Sequence, residues 1–328
     1  MKRPESSHTP EQHNDRIDES AADPSSDPIS NLARRRFLKG LAVTAGAAGA
    51  VTASRGAWGG NTLSDAFADF FQQHYQRMDD GEIRATIERI ERKAKRRYGV
   101  DISCANTPPQ DGVVFGYAIN ISKCRGYRDC VHACTKENNT SSDTQYIRVI
   151  EMDRGSMDLH AGDHYYDHET VPMPGKYYLP MQCMQCDNPP CVKACPVEAT
   201  WTEPDGIVVV DYDWCIGCRY CMAACPYQAR HFNWGDPDIA QADMNPDTHY
   251  LGNRPRPRGV VEKCHFCVQR TRTGRQPACQ EACPTGARIF GNLLDPNSEI
   301  RYVLEHKAVF RLKEDLGTEP KFWYFRDA

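Results

Sequence analysis

Polar and small residues dominate the start of the chain: positions 1–30 are rich in Ser, Asp, Glu and Pro, a pattern that predicts a disordered leader. A weakly apolar Gly/Ala-rich run follows at 40–53, shorter than the roughly 18–20 residues a bilayer-spanning helix needs. Over 63–98 the periodicity is helical. Ile83, Ile87 and Ile90 recur on one face, and Arg92, Lys93, Lys95, Arg96 and Arg97 crowd the carboxyl end, where cations complement the helix dipole. This predicts a helical hairpin that covers the core and turns a basic face to solvent. Past the Pro108-Pro109 break, 113–121 and 206–210 read as strands, each leading into a cysteine-containing stretch.

The 328 residues include 40 basic and 44 acidic side chains, a formal net charge of −4, which leaves no overall cationic field for nucleic acid. The 16 cysteines change the picture more, since such chains are held by disulfides in oxidising compartments and by metal in reducing ones. Arg34-Arg35-Arg36-Phe37-Leu38-Lys39, directly before the apolar run, forms a twin-arginine pattern with Ala33 where Ser or Thr is usual. It predicts folded export to the periplasm, cleavage near Ala53 or Ala57, and membrane association only through a partner. Folded export suits metal centres installed in the reducing cytoplasm.

Spacing decides between disulfide and metal. Cys215, Cys218, Cys221 and Cys225-Pro226 form C-x2-C-x2-C-x3-C-P, the bacterial ferredoxin run in which three thiolates hold one iron–sulfur cluster and the fourth ligates its neighbour. Cys183, Cys186, Cys191 and Cys195-Pro196 supply a partner run, so one ferredoxin-like unit spans 175–235. Cys264, Cys267, Cys279 and Cys283-Pro284 end in the same step after an insertion, and Cys124, Cys130 and Cys134 share it but have Tyr127 where a second cysteine would stand. The first and fourth groups would pair around the second and third. Disulfides have no reason to repeat a four-thiol register, and zinc ribbons need no third cysteine three residues on. The expected fold is α+β: two nested ferredoxin-like double-cluster units with loop-rich insertions and an N-terminal helical extension. Its parts are a leader and signal at 1–57, the extension at 58–110, an outer unit at 111–174 and 236–328, and the inserted unit at 175–235. Metal bonds would compensate for a small apolar core.

At Cys183–Pro196, at Cys215-Ile216-Gly217-Cys218-Arg219-Tyr220-Cys221-Met222-Ala223-Ala224-Cys225-Pro226-Tyr227 and at Cys264–Pro284 the chain closely resembles the iron–sulfur subunits of complex iron–sulfur molybdoenzymes, the dimethyl sulfoxide, polysulfide and nitrate reductase type. The resemblance covers about residues 112–325, including Leu316-Gly317-Thr318-Glu319-Pro320. It implies four centres in a line. The first would take Cys124, Cys130 and Cys283, with Tyr127 at the missing ligand's place, and the second Cys134, Cys264, Cys267 and Cys279. The third would take Cys183, Cys186, Cys191 and Cys225, and the fourth Cys195, Cys215, Cys218 and Cys221. The implied cofactors are three [4Fe-4S] clusters and one atypical cluster, [3Fe-4S] or [4Fe-4S] with a non-cysteine ligand. The implied role is non-catalytic: relaying single electrons between a molybdopterin-containing catalytic partner and a membrane quinone-linked subunit or c-type cytochrome.

Two other classes of function stand beside it: a structural or assembly module whose clusters only hold the fold, and an oxidoreductase using the open first cluster as a Lewis acid. No Walker loop, Rossmann glycine motif or Ser/His/Asp arrangement is visible. His160, His164 and His168 read as a solvated loop, and Cys104 as a buried thiol that could also approach the deficient first site. His132 and His265, inside cysteine groups, read as hydrogen-bonding partners near sulfur.

Overall fold

The computed structural model describes residues 78–327; the leader, the twin-arginine pattern and the 63–77 part of the helical stretch lie outside them. The described part opens on helix α1, Asp80–Tyr98. Asp79 caps it by accepting from the Gly81 and Glu82 N–H groups, Glu82 reaches back to the Asp79 N–H, and left-handed Gly99 closes the other end. Ile90 and Ala94 are buried. Arg92, Lys93, Lys95, Arg96 and Arg97 are all exposed, as expected of a solvated basic face, and Arg97 pairs with Asp236 at 2.8 Å while half-buried Arg89 pairs with Asp213 at 3.2 Å. The short strand β1, Ser103–Ala105, runs parallel to β8, Asp247–His249.

The remaining strands bracket the cysteine groups in a regular way. Strand β2, Phe115–Asn120, enters the first group, whose later cysteines lie on helix α2, Asp129–Glu137, and β3, Arg148–Asp153, leaves it. Strand β4, Lys176–Met181, enters the second; helix α3, Pro190–Lys193, lies within it, and β5, Thr200–Thr202, leaves. Strand β6, Val208–Val210, enters the third, followed by α4, Tyr220–Ala224, and β7, Arg230–Phe232. Strand β9, Val261–Lys263, enters the fourth, followed by α5, Val268–Thr271, α6, Ala278–Glu281, and β10, Arg288–Asn292.

Each exit strand pairs antiparallel with the entry strand of the next group: β3 with β4, β5 with β6, β7 with β9, and β10 back to β2. The ladders therefore form a closed cycle, and the segment from β4 to β7 shares ladders with the chain on both sides of it. The architecture is α+β with small sheets. Helix α7, Glu299–His306, and strands β11, Val309–Phe310, and β12, Phe322–Phe325, complete it; β12 adds parallel to β2 in a four-stranded sheet of order β10-β2-β12-β11.

The apolar core is larger than loops around metal would require. All six residues of β2 are buried, and Tyr117, Ile119, Ile150, Tyr178, Leu179, Phe322 and Tyr324 belong to one cluster. Tyr117 stacks on Phe322 at 5.0 Å. Strands covered on both faces account for this, since neither face needs alternating polar residues. Among the described residues no helix is long and apolar enough to cross a membrane.

Candidate metal centres

Two turn rules aim backbone N–H groups at the thiols. In every group the second residue after the opening cysteine has positive φ: Gly126 at 82°, Gln185 at 45°, Gly217 at 69° and Phe266 at 52°. The backbone of that residue hydrogen-bonds the thiol of Cys124, Cys215 and Cys264 in three of them. Gly217 is required sterically as well, because a Cβ there would lie 2.1 Å from the Gly259 carbonyl oxygen. After the closing cysteines Cys195, Cys225 and Cys283, the proline turns the chain away and the third residue is left-handed: Glu198, Gln228 and Gly286. The residues second and fourth after each then present N–H groups to its sulfur, namely Val197 and Ala199, Tyr227 and Ala229, and Thr285 and Ala287. Converging N–H groups of this kind favour an anion. The first group has no proline, α2 runs on, and the Asn138 amide donates to Cys134 Sγ at 3.4 Å instead.

The thiols gather into sets. Burial first, then Cys267, Cys264 and Cys279, raise the Cys134 thiol. Burial pushes Cys124 up to about 12, with Cys130 and Cys283 as neighbours, and Cys186 up to about 12, with Cys183, Cys191 and Cys225 around it. Cys195 and Cys221 both face Cys215; burial raises both, Cys221 to about 11 although Arg230 opposes this. Cys283 alone among the shifted thiols lies low: burial would raise it, and the Thr285 hydroxyl, the N–H groups and Arg288 outweigh that.

Two sets line open spaces. Cys183, Cys186, Cys191 and Cys225 border one small hollow. Cys124, Cys130, Cys283 and Tyr127 border another. Thiols spread around a space, with N–H donors turned to sulfur, fit a cluster of several irons.

Side chains that sequence reasoning passed over also touch sulfur. Arg230 donates to Cys191 Sγ at 3.1 Å and Arg288 to Cys130 Sγ at 3.3 Å. Tyr117 Oη lies 3.3 Å from Cys279 Sγ, and Asn138 also approaches Cys267 Sγ at 3.7 Å. The available signal was positional: Arg230 and Arg288 each stand fifth after a closing cysteine, in Cys-Pro-x-x-Ala-Arg. His265 is buried, and its Nδ1 accepts from the Val268 N–H rather than meeting sulfur. His132 is exposed, its ring 5.9 Å from that of His168. His160, His164 and His168 lie in turns outside any helix. Cys104 is a buried thiol of β1, raised by burial, with Thr248, Arg254 and Glu91 beside it; it does not border the Cys124 cavity.

Geometry and donor chemistry thus define a protein built around several thiolate-held iron–sulfur centres. A 4Fe-4S dicluster domain model matches residues 175–258 and 250–293. Among curated relatives, the putative iron–sulfur subunit of the dimethyl sulfoxide reductase of Halobacterium salinarum is 43% identical over 213 residues, covering 64% of this chain and 78% of that one. A selenate reductase subunit of Mesobacillus selenatarsenatis is 38% identical over 235 residues, covering 68% and 76%. The menaquinone reductase iron–sulfur cluster-binding subunit of Nitratidesulfovibrio vulgaris is 39% identical over 236 residues, covering 65% and 88%. The chain belongs to the iron–sulfur subunit family of the complex iron–sulfur molybdoenzymes. Its role is that of an electron-transfer subunit in an oxidoreductase complex.

Proposed function

We propose that the chain relays single electrons through four centres, between a catalytic molybdopterin-containing partner at the Tyr127 end and a membrane quinone-linked subunit or c-type cytochrome at the other. When bound, thiolate-held clusters exchange single electrons at potentials of roughly −700 to +450 mV, set by charge, hydrogen bonds and burial. The observation that carries the reading is the succession of neighbouring thiols. Cys130 of the first set faces Cys279 of the second, Cys264 of the second faces Cys183 of the third, and Arg230 adjoins Cys191 of the third and Cys221 of the fourth. The ligand sets are Cys124, Cys130 and Cys283; Cys134, Cys264, Cys267 and Cys279; Cys183, Cys186, Cys191 and Cys225; and Cys195, Cys215, Cys218 and Cys221, in two interlocked ferredoxin-like units. Partner docking at the fourth set finds support in the exposed side chains of Ile216, Tyr220 and Trp234. Arg219 lies 5.0 Å over the Trp234 ring.

The first centre is a three-iron cluster, because Tyr127 replaces the fourth thiol at the edge of the cavity that Cys124, Cys130 and Cys283 line. The Tyr127→Cys variant tests this. Oxidised wild type should give a half-integer paramagnetic signal of a three-iron cluster, and the variant should lose it and gain an ordinary cubane of lower potential. A silent oxidised wild type with an unaffected variant would show that Tyr127 is not at a cluster corner. Export of the loaded chain by the twin-arginine route to the periplasm completes the proposal.

A further inference from the structure

Arg230 and Arg288 hold the same place in the internal repeat, each opening a strand after Cys-Pro-x-x-Ala; after Cys195 the equivalent residue is Thr200. Both arginines are buried, at 4% and 3% exposure. Arg230 Nη2 donates to Cys191 Sγ at 3.1 Å and Thr200 Oγ1 at 2.9 Å, and its side chain also hydrogen-bonds Cys221. Arg288 Nη2 donates to Cys130 Sγ at 3.3 Å. Its Nη1 donates to Gln182 Oε1 at 2.9 Å and to Tyr117 Oη at 3.4 Å, which lies 3.3 Å from Cys279 Sγ. Arg230 therefore bridges the third and fourth thiol sets directly, and Arg288 touches the first set directly and the second through the Tyr117 hydroxyl.

The charges these cations face are sulfur and phenol groups rather than carboxylates. Other buried arginines differ: Arg272 pairs with Asp205 and Glu203, and Arg256 with Glu262. A buried cation without a carboxylate is costly unless something else compensates it, and two thiolate sets can. Between the second and third sets lies buried Lys263, which faces Cys183 and Cys264 through space while its ammonium donates to the Val208 and Cys264 carbonyl oxygens and not to sulfur; burial lowers its pKa and so weakens its hold as a fixed charge.

We propose that Arg230 and Arg288 are positioning residues that each fix one positive charge between two adjacent thiolate sets, raising the potentials of both centres together and dividing the relay into two electrostatically coupled pairs. The inference rests on the cluster assignment proposed above. Each reduction brings one electron and one negative charge to a set, and a fixed cation in a low-dielectric interior favours that state over the oxidised one. Because the same guanidinium adjoins both sets of a pair, removing it should move two potentials at once.

The test is a redox titration of the cluster-loaded full chain with dithionite and mediators, followed by paramagnetic resonance. Arg230→Gln should lower the midpoints of the third and fourth centres by about tenfold in reduction equilibrium constant, about 59 mV for a one-electron step, and leave the other two in place. Arg288→Gln should do the same to the first and second centres. Arg230→Lys and Arg288→Lys keep the charge and should stay within about threefold of wild type. A shift in one centre alone, an equal shift in all four, or none at full iron content would overturn the proposal. Should a Gln variant lose iron, the Lys variant decides, and a shift of its pair beyond about threefold overturns the proposal. Iron content and the number of centres in wild type test the cluster assignment separately.

Discussion

Acidification should charge a histidine that the fold keeps neutral. His249 ends β8 and is fully buried. Its Nε2 lies 3.1 Å from the Thr107 carbonyl oxygen, and its Nδ1 accepts from the Leu251 N–H at 3.2 Å; this pattern assigns the neutral ring with its proton on Nε2. Burial lowers the pKa from 6.5 to about 4, with Thr107 opposing and Arg272 assisting. Because the folded value lies below the unfolded one, the unfolded chain takes up the proton first. The native state has its full advantage above about pH 6.5 and loses it as pH falls toward about 4. The whole gap corresponds to about 3 kcal/mol, of which about 2 kcal/mol should be gone by about pH 5. Urea unfolding of the anaerobic protein, followed by circular dichroism at about pH 7.5 and about pH 5, should be run on wild type and His249→Gln. Glutamine can still donate to Thr107 but does not titrate. The stability difference between the two should change in the variant's favour by about 2 kcal/mol on acidification. A difference that stays constant would refute the argument.

Glu262→Ala should cost about 3–5 kcal/mol, because it strands a buried cation. The carboxylate pairs with fully buried Arg256 and accepts from Tyr146 Oη at 2.7 Å; chemical denaturation measures the loss, and a cost below about 1 kcal/mol would mean that Arg256 finds another partner. Replacing Arg34 and Arg35 by Lys should strand cluster-loaded protein in the cytoplasm. An unchanged periplasmic yield on cell fractionation would remove the export proposal.

The cysteine groups were legible because their chemistry is local: Cys215 to Pro226 spans one loop and one short helix, and its spacing is visible without the fold. Strand β2 was legible for a similar reason, an apolar run after a proline break, and appears within two residues of the expected limits. Its neighbours were not. Strand β12 joins β2 across roughly 200 residues of chain, and no periodicity encodes that pairing. The cyclic linking of exit and entry strands also depends on long-range register. The sulfur contacts of Arg230 and Arg288 needed the fold too, since Cys191 and Cys130 lie far from them in sequence. His265 misled because its place between Cys264 and Cys267 turns its ring to the Val268 backbone instead of to sulfur. The basic face of α1 was legible as a solvated one, but its ion pairs were not: Asp213 and Asp236, the partners of Arg89 and Arg97, lie more than 100 residues away.

The most direct test of the relay is metal and sulfide analysis of the anaerobically purified mature chain, combined with spin counting of the reduced and oxidised protein. The account predicts about 12 to 16 irons per chain with matching acid-labile sulfide, distributed over four centres that reduce reversibly. About two zincs per chain with negligible iron would contradict it.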